Sequence, residues 1–273
     1  MMPAVDALFV GNAIMDVFGT CDDTFLTAHD IEKGSMTLVD EAHALTLYKA
    51  MSGAQEQSGG SAANSAFGFA MLGGTAAFSG KLAGDAVGNS LVANLRSGNV
   101  QFAGTIAADG PASARSMIFV TPDAQRSMNT FLGASLTMTD ASIPDDITSK
   151  FIYLEGYLFD APDGPAIFAK AAQLAASTGA ALSITLSDSW CVERHKDALN
   201  TFIQDHVTIL FSNQDEIQAL LGTDDSTAIA SFAATMDELI VTKGADGADI
   251  RCTGDTTSVT ASLQGPVIDT TGA

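Results

Sequence analysis

The chain has 273 residues, enough for a substantial core, and 47% of them are hydrophobic against 16% charged, which excludes a disordered polymer. Lys plus Arg total 12 and Asp plus Glu 32, a net charge of −20 that sets the surface against nucleic acid and anionic membranes. No apolar stretch reaches the ~18 residues of a membrane span, no signal-peptide pattern opens the chain, and Cys21, Cys191 and Cys252 are too far apart for a zinc site, so packed thiols in a reducing cytoplasm are expected.

In chain order, the apolar run 5–10 ends in Gly11 and predicts a buried strand. Residues 15–20 and 36–39 predict short strands, and 41–51 a helix. Gly59-Gly60-Ser61 opens a small-residue helix to about residue 72, and 76–79 returns as a strand. Between about 104 and 130 helical periodicity disappears, and 113–120 and 125–131 predict strands around a Thr121-Pro122-Asp123 turn. Alternation resumes at 150, with strands 151–155, 181–185, 208–211 and 238–241. Helices 164–178, 192–205, 214–221 and 226–236 separate them, and 251–260 predicts a late hairpin. Such alternation predicts an α/β fold, a Rossmann-like, mostly parallel sheet flanked by helices. A small second sheet is expected from 12–40 and 104–131, and the main domain from 1–11, 41–103 and 132–273. Trp190, beside Cys191, is expected to be a packing residue.

Ligands of open parallel sheets bind beyond the carboxyl ends of the strands, so residues just after each strand carry the functional information. In Gly11-Asn12-Ala13-Ile14-Met15-Asp16 the carboxylate can accept two hydrogen bonds from a vicinal diol, or be a solvated loop acid. In Gly59-Gly60-Ser61-Ala62-Ala63-Asn64 the paired glycines admit close backbone approach to a ligand, with Asn64 one helical turn on; the alternative is a helix kept thin for packing. Neither a GxGxxG fingerprint nor a GxxxxGK[ST] phosphate loop occurs. Asn213 and Glu216 share one face of a helix start, where they either hold Mg²⁺ through water or cap the helix. Thr242, Gly244 and Gly247 suit a phosphate-contacting turn or an ordinary hairpin turn. The closing Asp269-Thr270-Thr271-Gly272-Ala273 follows a strand-like run and predicts an anion-binding turn at a helix start.

This series, in this order, resembles the ribokinase-like (PfkB) family of sugar and nucleoside kinases over essentially the whole chain, and the last segment resembles its DTxGAGD motif. Gly80-Lys81-Leu82-Ala83-Gly84-Asp85-Ala86-Val87-Gly88 resembles the family's first-signature region. The resemblance implies an ATP- and Mg²⁺-dependent phosphotransferase, with the small sheet as a lid that closes on substrate. Asp16, Gly59, Gly60 and Asn64 would contact substrate hydroxyls; Asn213, Thr242, Gly244 and Gly247 would line the nucleotide, and Glu216 would hold Mg²⁺ through water. Gly272 and Ala273 would form the anion hole, and Asp269 and Thr271 would bind a monovalent cation such as K⁺. The general base is the motif's last Asp, which falls beyond residue 273, so the 273-residue chain is expected to be inactive by itself.

The acceptor is read from the same motifs. Ile14 stands where ribokinases place a sugar-binding Asn, and the segment from Arg126-Ser127 resembles adenosine kinases, with Arg126 reaching the transferring phosphate or facing solvent. Glu155 resembles a ribokinase sugar contact. The balance favours an adenosine-like nucleoside over a free sugar. The alternatives are a ribokinase- or fructokinase-type enzyme, a non-catalytic ribose- or nucleoside-binding protein, and a nicotinamide-dependent oxidoreductase, against which the missing fingerprint counts. A homodimer through the lid is expected from the resemblance.

Overall fold

In chain order the elements begin with β1 (Val5–Val10), β2 (Ile14–Thr20), α1 (Asp23–Ala28), β3 (Met36–Leu38), α2 (Glu41–Ala50) and β4 (Gln55–Gly59). Next come α3 (Ser61–Met71), β5 (Ala76–Ser79), β6 (Lys81–Ala83), α4 (Ala86–Ser97), β7 (Val100–Phe102), β8 (Thr105–Ala107), β9 (Ala114–Val120) and β10 (Arg126–Phe131). Then follow β11 (Ser149–Glu155), α5 (Gly164–Thr178), β12 (Ala181–Thr185), α6 (Ser189–His206), β13 (Ile209–Asn213) and α7 (Gln214–Leu221). The last are α8 (Ser226–Ala233), β14 (Glu238–Thr242), β15 (Ala248–Cys252) and β16 (Asp255–Val259). This computed structural model describes residues 4–252 and 255–262. Two units are distinguished, one from the chain through Gly11 together with the chain from Thr139, the other Asn12–Met138.

The first unit carries the parallel sheet. β1, β11, β12, β13 and β14 pair in that order, all parallel, and β15 and β16 continue antiparallel. Its strands read as apolar runs because their central residues face packed neighbours: Leu8, Val10, Ile152, Leu154, Ile184 and Leu210 are fully buried. α5 packs on β11 and β12, and α7 on β13 and β14. Burying such a side chain contributes about 1.5–3 kcal/mol each. Parallel pairing puts the carboxyl ends Val10, Glu155, Thr185, Asn213 and Thr242 along one edge of this sheet.

The second unit contains a five-stranded sheet in the order β3-β10-β9-β2-β4. One face packs on α1 and α2 through Leu26, Ile31, Ala44, Leu47, Met117 and Phe119. The opposite face carries Ile14, Asp16 and Phe18 of β2 in register with Ala114, Ser116 and Ile118 of β9. The polar strand Gln55–Gly59 has no apolar alternation and gave no strand signal; backbone pairing with β2 makes it one. The unit also holds the parallel pairs β5–β7 and β6–β8, with α3 packed on β5 and α4 on β7.

Candidate active site

Within the second unit, Asp16 lies against Gly59, Gly60 follows, and Asn64 stands on the first turn of α3. Asp16 is on the sheet face away from α1 and α2, opposite Gln57 of β4 and Ser116 of β9. Its side chain leans over Gly59: a Cβ at position 59 would lie 2.1 Å from the Asp16 carboxyl carbon. Gly60 follows with φ 93°, and a Cβ there would lie 2.4 Å from the Asn12 carbonyl, so Gly60 is required both by space and by backbone conformation, and Gly59 by the space that the Asp16 carboxyl fills. Gly60 is the N-cap of α3 and brings no side-chain cap; the Asn64 amide donates to the Gly60 carbonyl. Asp16 is 9% exposed. Burial alone pushes it up to about 7, with no hydrogen bond or cation among the described residues to relieve it.

The surroundings mix polar and apolar groups. The Ser116 and Thr130 hydroxyls bond each other at 2.8 Å. Buried Asn12 accepts from the Ser135 hydroxyl at 2.6 Å, which ties the start of the β2 arm to the turn after β10. Ile14 and Phe18 are half-buried, and Ile118 is buried on the same face. Arg126 begins β10, half-buried, opposite Val120.

Within the first unit the other described candidates line the carboxyl edge of the parallel sheet. Glu155 ends β11 and is 1% exposed. Asn213 and Glu216 form a reciprocal capping box at α7. The Glu216 amide donates to Asn213 Oδ1 at 2.8 Å, the Asn213 amide donates to Glu216 Oε2 at 3.0 Å, and Asn213 Nδ2 donates to Glu216 Oε1 at 2.7 Å. Burial foremost, and then the charges of Asp188 and Asp215, push the Glu216 carboxyl up, against the Asn213 amide. Thr242, Gly244 and Gly247 form the turn joining β14 to antiparallel β15, where Lys243 N–H donates to the Gly247 carbonyl at 2.7 Å. Asp269, Thr271, Gly272 and Ala273 lie outside the described residues.

Some residues at this edge escaped sequence reasoning. Asp188 caps α6 by accepting the Cys191 amide at 2.5 Å, and its charge acts on Glu216. Ser187 before it has φ 77°, uncommon for a residue with a side chain. Tyr157 is raised well above the ordinary phenol range by burial first and by Asp188 next, and its hydroxyl donates to the Ser187 carbonyl at 3.4 Å. The readable signal was the acid three residues after the β12 run. Cys191 is buried and pushed up to about 12 by burial, as an inert packed thiol. Trp190, expected to pack, is instead 71% exposed, because the buried side of the first turn of α6 is taken by Cys191 and Val192.

The model of the pfkB family carbohydrate kinases matches residues 36–273. An adenosine kinase from Sinorhizobium meliloti is 38% identical, with a TM-score of 0.88 over 97% of this chain and 82% of that one. A probable sugar kinase from Rhizobium etli CFN 42 gives the same identity, TM-score and coverage. Fructokinase-1 of Oryza sativa subsp. japonica is 29% identical over 226 residues, 79% of this chain and 69% of that protein. The oxidoreductase alternative is overturned by the family match, and the non-catalytic one is not favoured. The chain belongs to the pfkB family of carbohydrate kinases.

Proposed function

We propose that the protein transfers the γ-phosphoryl group of ATP to a hydroxymethyl group of an adenosine-like nucleoside. One observation carries the acceptor site: a buried carboxylate, Asp16, with no partner among the described residues, lying across a glycine beside the start of α3. A carboxylate in that state is relieved by two hydroxyl donors on adjacent carbons, which a ribose supplies. Asn64 adds a polar contact on the first turn of α3, and Gly59 and Gly60 let the acceptor approach the backbone. Ile14, Phe18 and Ile118 supply an apolar wall suited to a base. Arg126 offers positive charge to the transferring phosphate.

The carboxyl edge of the parallel sheet is the proposed nucleotide side. Asn213, Thr242, Gly244 and Gly247 would line ATP. Glu216 and Asp188 suit Mg²⁺: the Asp188 charge acts on the Glu216 carboxyl, and neither forms an ion pair among the described residues. Bound Mg²⁺ would neutralise charge on the phosphates. Glu155 keeps its proposed sugar contact. The anion hole at Gly272 and Ala273, the cation role of Asp269 and Thr271 toward K⁺, and a general base in the same motif complete the proposal. Exposed Met36 and Leu38 on edge strand β3 support a homodimer through the small sheet, which light scattering would measure.

A sugar acceptor is the second reading. The Rhizobium etli and rice relatives favour it, since their names are those of sugar kinases. The test is phosphotransfer from ATP by the protein expressed from its full coding sequence, across adenosine, ribose and fructose. Adenosine turnover at the highest kcat/KM is expected. Fructose or ribose turnover instead selects the second reading, and no product from any of them overturns both.

A further inference from the structure

The first-signature segment has a physical role beyond its sequence pattern. Asp85 is the N-cap of α4, and its Oδ1 accepts the Gly88 amide at 2.8 Å. A cap needs only one oxygen. The rest of the carboxylate reaches Ser113: Oδ2 accepts the Ser113 amide at 2.9 Å and Oδ1 accepts its hydroxyl at 2.8 Å. Ser113 is 1% exposed, and its hydroxyl also accepts the Ala83 amide at 3.0 Å. It is the residue immediately before β9, and three positions later Ser116 stands in register with Asp16. The other end of the β9–β10 arm is fastened nearby. Ala134 N–H donates to the Ala112 carbonyl at 2.8 Å, and Lys81 Nζ donates to the Thr137 carbonyl at 2.7 Å. α4 is a firm anchor, since Val87, Leu91 and Leu95 bury its inner face.

We propose that Asp85 is a positioning residue for acceptor binding: it fixes the foot of β9 to α4 and so sets the strand that flanks Asp16. The inference rests on the reading of the Asp16 face as the acceptor site. It separates two duties of one side chain. Asp85→Asn keeps a good N-cap acceptor for α4, but turns an amide N–H₂ toward the Ser113 N–H, two donors face to face.

The test is calorimetric titration of adenosine and of fructose into the full-length protein, wild type, Asp85→Asn, Ser113→Ala and Asp16→Asn, with hydrogen exchange at Ala114–Ser116 and thermal unfolding alongside. Asp85→Asn is expected to weaken acceptor binding about tenfold, as loss of one charge-assisted hydrogen bond does, with ATP affinity unchanged. Exchange at the start of β9 should quicken while the unfolding temperature falls by only a few degrees. Ser113→Ala, which keeps the cap untouched, should shift affinity and exchange in the same direction. Wild-type acceptor affinity and unchanged β9 exchange in both variants, with Asp16→Asn impaired, would overturn the role of Asp85 alone. Wild-type affinity in Asp16→Asn, or no binding of either probe to wild type, would overturn the acceptor reading and this inference with it.

Discussion

At the scale of single residues, Asp16 is set apart by its ionisation. Its folded value of about 7 lies above the ordinary 3.8, so the folded state favours the protonated form. The sign follows: Asp16 causes no loss of stability below about pH 4, and stability falls as pH rises through about 7, by on the order of 4 kcal/mol for such a shift. Asp16→Asn is therefore expected to raise the unfolding temperature at pH 8 and leave it nearly unchanged at pH 4, as calorimetry would record. The same variant should bind acceptor poorly, because a neutral amide cannot accept two hydroxyls equally. A second residue gives a sharper steric case. Gly59→Ala places a methyl group in the volume of the Asp16 carboxyl, 2.1 Å from its carbon. Acceptor KM should rise at least tenfold with ATP KM unchanged; a KM equal to wild type would show that the carboxyl moves aside at no cost.

At the scale of elements, the capping box of α7 fixes the helix start, and the proposed function adds a Mg²⁺ duty that substitution can separate from it. Asn213→Ala removes the cap, a loss of ~0.5–2 kcal/mol, and should lower the unfolding temperature by a few degrees. Glu216→Gln retains a residue that completes such a box, so stability should hold, while the apparent affinity for Mg²⁺-ATP falls. An unchanged Mg²⁺ requirement in Glu216→Gln would leave Glu216 a helix cap alone. Legibility also varied by element. β1 and β12 were readable because a strand packed on both faces is mostly apolar, broken only by Asp6 in β1 and by Ser183 and Thr185 in β12. α4 had its signal, Asp85 followed by Val87, Leu91 and Leu95, although only its glycine pattern was read. α1 is six residues long, and its Asp22 cap is hard to tell from a loop acid. β4 was illegible because its first three residues face solvent. The site motifs were legible as residue types; what they touch was not. The crowding of Asp16 over Gly59, the absence of a partner for its carboxyl among the described residues and the tie from Asp85 to Ser113 are long-range facts that no local spacing encodes.

At the scale of the whole molecule, the net charge of −20 opposes the binding of ATP, itself an anion. Screening that field should help the nucleotide and leave a neutral acceptor unaffected. Raising ionic strength from about 10 to about 100 mM, which shortens the Debye length from ~30 to ~10 Å, should lower ATP KM at saturating Mg²⁺ with acceptor KM constant. The family match sets the reaction class, and the proposed acceptor is argued from the face of one small sheet. The most direct measurement is steady-state phosphotransfer to adenosine by wild type and Asp16→Asn between pH 6 and 8. With a carboxyl titrating at about 7, wild-type acceptor KM should fall roughly tenfold over that range, with ATP KM flat, and Asp16→Asn should lose most of its acceptor turnover at every pH. An acceptor KM independent of pH, together with an Asp16→Asn enzyme as active as wild type, would contradict the account.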